Sequence, residues 1–301
     1  MRPPASRTPA ALAPRAPVRE PGPGPRGSGP GRGTAVRPGR PLPADADRAG
    51  AGAPPLLVIA HGSRDPRHAA AVRELTARVA AARPGLRVDT AFLDFCAPSV
   101  PSAVERLAAD GVREAVALPL LLTRAFHAKT DIPAVLREAT AALPSLRLRT
   151  AGVLGPSPLL TAALERRLRQ AGLRPGDRSS TGVVLASAGS SDPEANAVIA
   201  AIAREWRRTG WCAVRPAFAS ASPSSGEDTA AAVRTLRAPG VRRVAVARYV
   251  LAPGFLPDRI ARGARSAGAD VLADVLGPAP EVATLLLRRY DQSRVPATPR
   301  G

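Results

Sequence analysis

Leu56-Leu57-Val58-Ile59-Ala60-His61-Gly62-Ser63-Arg64-Asp65-Pro66 is the stretch that decides the fold. Five apolar residues in a row suit a strand buried on both faces. Asp65-Pro66 then supplies an N-cap followed by the residue best tolerated at the first helical position. The stretch predicts a strand, a short turn and a helix, with His61 at the strand's carboxyl end. In open parallel α/β sheets that edge is where ligands bind.

Downstream, strand and helix patterns alternate. Val72, Leu75 and Val79 give Arg67 to Ala82 a helical period, which Pro84-Gly85 stops. Leu86 to Leu93 reads as a second strand and Pro101 to Asp110 as a second helix, closed by Gly111. Val112 to Leu122 is a third, strongly apolar strand leading into a polar loop, Thr123 to Thr130. Asp131-Ile132-Pro133 then predicts a third helix with an Asp cap. Leu146 to Ala151 gives strand four and Leu159 to Gln170 helix four. Strands separated by helices imply a parallel sheet covered on both faces, with order 2-1-3-4.

Arg174 to Ser180 is a linker by composition, and a second copy of the unit follows it. Val183-Val184-Leu185-Ala186-Ser187-Ala188-Gly189-Ser190-Ser191-Asp192-Pro193 matches the opening stretch, with Ala188 in the place of His61. Val241 to Leu251 repeats the third strand, and Val275-Leu276-Gly277-Pro278 echoes Val153-Leu154-Gly155-Pro156. The expected organisation is a Pro/Arg/Gly-rich disordered segment over residues 1–52, an N-terminal domain over 53–178, a degenerate repeat over 179–291 and a tail over 292–301. Residues 1–52 carry twelve prolines and nine arginines against three acids, too little apolar surface to offset chain entropy.

The formal charge of +19 invites a nucleic-acid reading, but Lys129 is the only lysine, so the charge reflects an arginine-rich composition. No basic patch interleaved with aromatics of the kind that stacks bases accompanies it. Arginine excess suits anionic small substrates, since guanidinium pairs well with carboxylate. No apolar run reaches the ~18 residues that span a bilayer, and no secretory signal is recognisable, so the expected compartment is the cytoplasm. Cys96 and Cys212 lack metal-ligand spacing and read as small core residues.

Two of the three histidines, His61 and His127, follow strands one and three of the same half. Those strands are neighbours at the switch point of a 2-1-3-4 sheet, so both imidazoles reach one cleft. Two imidazoles suit a borderline divalent ion held transiently with open positions, since a closed structural site normally uses four ligands. A histidine after a strand also serves as a hydrogen-bonded loop residue. The absence of both from the duplicate favours chemistry, because the fold does not need them. His68 reads as exposed and idle. Arg64, Arg124 and Lys129 flank the two histidines as anion contacts or as a solvated loop edge, and Asp94 points a carboxylate to the cleft or caps the following turn.

These residues together resemble the sirohydrochlorin chelatase family: His61-Gly62-Ser63-Arg64-Asp65-Pro66, then Ala91-Phe92-Leu93-Asp94 with Ala97-Pro98-Ser99, then Pro119-Leu120-Leu121-Leu122 leading to His127 and Asp131-Ile132-Pro133. The resemblance covers about residues 54–290 and includes the duplication. It implies an α/β chain of two tandem chelatase-like domains, each a small parallel sheet flanked by helices. The implied activity is insertion of Fe2+, Co2+ or Ni2+, as substrate and with no permanently bound cofactor, into the tetrapyrrole sirohydrochlorin, in siroheme or cobalamin biosynthesis. It implies that His61 and His127 bind the metal and that His61 accepts a proton. Asp94, Ser63 and Leu122, Thr123, Arg124, Ala125, Phe126 and His127 would contact the tetrapyrrole, with Arg64, Arg124 and Lys129 receiving its carboxylates. Two departures stand out: Asp94 replaces a longer Glu, and Thr123 to Phe126 is bulkier than the family's glycine-rich loop.

The expected assembly is a monomer whose repeats mimic a dimer, with the second half walling the cleft through Phe255 and Arg259. A non-catalytic metal or tetrapyrrole carrier is the alternative from another class. A histidine phosphatase is disfavoured because Ala60, not Arg, precedes the histidine.

Overall fold

The opening strand, β1 (Leu56–Ala60), is the second strand of a four-stranded parallel sheet, and both of its faces are buried. Leu56, Val58 and Ala60 enter one core while Leu57 and Ile59 enter another, as the two-residue period of a strand requires. The computed structural model describes residues 52–124, 131–220 and 226–294. The disorder expected before residue 52 lies outside them, and so do Ala125 to Thr130.

The first half runs β1, α1 (Pro66–Ala82), β2 (Val88–Phe92), α2 (Val100–Ala109), β3 (Glu114–Pro119), α3 (Ile132–Ala141), β4 (Arg147–Thr150) and α4 (Pro158–Gln170). Its sheet order is β2-β1-β3-β4, the doubly wound order expected, with Leu56 paired to Val88 on one side and to Val116 on the other. The second half repeats it: β5 (Thr181–Ser187), α5 (Pro193–Arg207), β6 (Ala213–Phe218), α6 (Thr229–Arg237), β7 (Arg243–Tyr249), α7 (Phe255–Ser266), β8 (Val271–Val275) and α8 (Pro280–Arg294), in sheet order β6-β5-β7-β8. α8 extends to Arg294, into the stretch expected to be a tail.

The layers follow from the cores. α2 and α3 cover the outer face of the first sheet, and α6 and α7 cover the outer face of the second. Between the sheets lies one shared core to which both contribute, Val58 and Leu118 from the first and Leu185 and Ala247 from the second. The closing helices are exchanged across this core, α4 packing on β7 and β8 and α8 packing on β3 and α1. Each half completes the other.

Two local expectations change. Asp131 is itself helical and makes no side-chain capping bond to α3, because its ψ of −49° turns it into the helix rather than ahead of it. Arg174 to Ser180 is an ordered joint: Pro175–Ser180 forms a 3-10 turn in which the Asp177 carboxylate accepts from the Arg174 amide at 2.9 Å and from Arg243 at 2.6 Å.

Candidate active site

Gly62 (φ 95°) turns the chain out of β1, and a Cβ built there would overlap the Asp94 carbonyl oxygen. Only glycine allows the loops after β1 and β2 to lie this close, and the Asp94 amide donates to the His61 carbonyl at 2.9 Å. Asp65 then caps α1 by accepting from the Arg67 amide, and the Ser63 hydroxyl accepts from the Asp65 amide. The second half repeats the device. Gly189 (φ 81°) lies against Ser220, whose amide donates to Ala188, and Ser190 and Asp192 replace Ser63 and Asp65. The loop frame is thus common to both halves, while His61 and Asp94 become Ala188 and Ser220.

Between the carboxyl ends of the two sheets lies a cleft of about 650 Å³. The first half lines it with Gly62, Ser63, His68 and Leu120 to Thr123, and the second with Ser187 to Ser191, Asn196 and Tyr249 to Pro257. His61 is exposed and is not among the residues that line the cleft, although its neighbours Gly62 and Ser63 are. Asp94 is exposed and its carboxylate accepts from the Phe95 amide at 2.8 Å, while Arg64 lies over the Phe95 ring at 5.0 Å. Arg124 is exposed at the end of the described loop. Ala125, Phe126, His127 and Lys129 lie outside the described residues. Phe255, 71% exposed, lines the cleft, whereas Arg259 lines a separate hollow beside α6 with Phe218 and Asp228.

His68 is not the exposed residue expected. It is half-buried in the cleft wall, its Nε2 out of contact with solvent and without a hydrogen-bond partner among the described residues. Burial lowers its pKa below the usual imidazole value, and the neighbouring His61 lowers it further, against a weaker pull from Asp65 and the Pro253 carbonyl. The signal was present in the sequence. His68 precedes Val72 by four residues, which puts it on the stripe that Val72, Leu75 and Val79 bury.

Tyr249, at the end of β7, was also missed. Its ring is fully buried and its hydroxyl lies against Gly155 from the first half, where a Cβ would also strike the Leu122 carbonyl oxygen. Burial pushes its phenol pKa up, so the hydroxyl stays protonated. Tyr249 and Leu122 line the cleft from opposite halves, a relation that no local pattern encodes.

A family model described as CbiX matches residues 55–171 and again residues 182–293. The chain belongs to this family, the sirohydrochlorin chelatases, in its two-repeat form. A sirohydrochlorin cobaltochelatase of Priestia megaterium is 28% identical over 209 residues, covering 68% of this chain and 66% of that protein. The chain thus spans slightly less than two thirds of that relative's length. A sirohydrochlorin ferrochelatase of the same organism is 26% identical over 231 residues, covering 74% of this chain and 84% of its own. The structure of SirB from Bacillus subtilis with Fe3+ is 25% identical, with a TM-score of 0.68, over 79% of this chain and 94% of that one. Both CbiX repeats fall on the doubly wound halves, and among the described residues no helix is long and apolar enough to cross a membrane.

Proposed function

We propose that this chain inserts a divalent metal ion, Fe2+ or Co2+, into sirohydrochlorin, using His61 and His127 as transient metal ligands and His61 as the proton acceptor. The observation that carries this reading is the asymmetry of the duplicated frame. Two halves with the same glycine turn, serine and Asp-capped helix face one cleft, and one of them alone carries an imidazole at the strand end.

Insertion must strip water from the ion and remove two pyrrole N–H protons. An imidazole titrating near neutrality can hold the ion loosely or take a proton, but the same nitrogen cannot do both at once. Deprotonation of the macrocycle by His61 is therefore coupled to surrender of the metal. Arg64, Arg124 and Lys129 are assigned to the substrate's carboxylates, where guanidinium and ammonium donors give charge-assisted hydrogen bonds, and Ser63 to a further substrate contact. Asp94 and the segment Leu122, Thr123, Arg124, Ala125, Phe126 and His127 complete the proposed tetrapyrrole contacts. Asn196 and Ser190, which hold each other through paired side-chain and backbone hydrogen bonds, shape the opposite wall without a metal ligand.

The test is sirohydrochlorin metallation followed by absorbance, with ferrous iron and cobalt in parallel, for the native chain and for His61→Ala and His127→Ala. Acceleration over the spontaneous rate that both substitutions abolish, with the fold retained, is the expected result. Binding of metal and tetrapyrrole with no acceleration would make the protein a carrier. Undiminished rates in both variants would overturn the assigned roles.

A further inference from the structure

A second cavity, of about 460 Å³, adjoins the cleft and is lined by four arginines, Arg67, Arg248, Arg262 and Arg265, against two acids, Asp258 and Asp274. Arg248 is its floor. Its side chain is 13% exposed, with Nε donating to the Ala273 carbonyl at 2.8 Å and a terminal nitrogen paired to Asp274 at 2.7 Å. Arg67 is tied to Asp258 at 2.6 Å and is also held by Asp65, so both cavity acids are engaged. Arg262 and Arg265 lie one helical turn apart on α7, and their side chains make no ion pair or hydrogen bond among the described residues.

The cavity therefore concentrates uncompensated positive charge around a guanidinium already taken out of water. Burial, aggravated by the nearby charge of Arg265, lowers the pKa of Arg248 despite Asp274 and Asp258. An arrangement that crowds like charges gains most from an anion, and a concave site focuses its field. Its position narrows the ligand. Pro253 belongs to the walls of both cavities, and the consecutive residues Arg67 and His68 face one each. An anion held here is within reach of a molecule occupying the cleft.

We propose that the Arg67–Arg248–Arg262–Arg265 cavity receives a peripheral carboxylate arm of the macrocycle bound in the cleft, fixing its orientation from the second half. This rests on the tetrapyrrole reading above. It also gives the second repeat a positive role: having no histidine at the strand end, it supplies an anchor. Arg262 and Arg265 supply the free forked donors that match a carboxylate.

The experiment measures the dissociation constant of metal-free sirohydrochlorin for the full chain, for Arg262→Gln/Arg265→Gln and for Arg262→Lys/Arg265→Lys, with Co2+ affinity and inorganic phosphate binding in parallel. The glutamine pair is expected to weaken tetrapyrrole binding about tenfold or more and to leave Co2+ affinity unchanged, while the lysine pair, which keeps the charge but not the fork, restores binding only in part. Undiminished tetrapyrrole binding by the glutamine pair overturns the carboxylate anchor while leaving the chelatase reading intact. Phosphate binding that disappears in the glutamine pair, with tetrapyrrole binding unchanged, reassigns the cavity to a free anion. A native chain that does not bind sirohydrochlorin overturns both readings.

Discussion

Arg289 donates to the Leu154 carbonyl at 3.1 Å across the two halves, and Arg167 donates to the Leu276 carbonyl at 2.9 Å in the reciprocal contact. Leu154 and Leu276 occupy the same position in the two repeats, in the Val-Leu-Gly-Pro turn after the last strand. The arginines lie on the exchanged helices α4 and α8, so each half ties down the other's turn. Arg167→Met removes a charged donor from a fully buried leucine's carbonyl and should lower stability by about 1–2 kcal/mol. A urea midpoint indistinguishable from that of the native chain would show that the contact is dispensable.

Gly62→Ala tests the turn beneath His61. Alanine disfavours φ 95°, and its Cβ would overlap the Asp94 carbonyl, part of the backbone rather than a side chain that can swing away. The expected cost is at least about 2 kcal/mol, with His61 displaced and Co2+ affinity reduced even where the fold survives. Gly111→Ala is the control: it also has positive φ but has nothing within contact distance of the new methyl, so it should cost less.

The alternation of strands and helices in both halves was legible because it rests on local signals, an apolar run for β1 and capped helix starts at Asp65 and Asp192, and the sheet order followed from the doubly wound class that this alternation implies. The place of His61 at a strand end followed from the same pattern. The exchange of α4 and α8 was not legible, since an amphipathic stripe states that a face is buried but not which sheet buries it. For the same reason Tyr249 and Arg248 could not be read as lining cavities shared by both halves. The burial of His68 is legible in its register, four residues before the buried Val72. Asp131 misled because an Asp-x-Pro pattern does not determine which residue turns helical first.

Tyr249→Phe separates burial from bonding. The hydroxyl is buried and has no partner among the described residues, so the native residue bears the desolvation of a polar group without a visible return. Phenylalanine should leave stability unchanged or raise it by up to about 1 kcal/mol. A loss above about 1 kcal/mol in thermal or urea unfolding would mean that the hydroxyl has a partner, and would mark the Leu122–Gly155 junction as a polar contact.

His68 gives the fold a pH dependence whose sign is fixed by its surroundings. Its folded-state pKa lies below the unfolded 6.5 because burial and His61 disfavour the imidazolium. The unfolded chain therefore binds more protons there, and stability increases with pH wherever that is so. Its contribution is complete above pH 6.5 and is lost as pH falls through 6.5 towards the folded value. The slope cannot exceed about 1.4 kcal/mol per pH unit for one group. Replacing His68 by Asn removes the titration while keeping a polar side chain, so the difference in unfolding free energy between native and variant should shift in the variant's favour between pH 7 and pH 5. A difference that stays constant over that interval would mean that His68 titrates alike in the folded and unfolded chains, and that the cleft wall does not bury it.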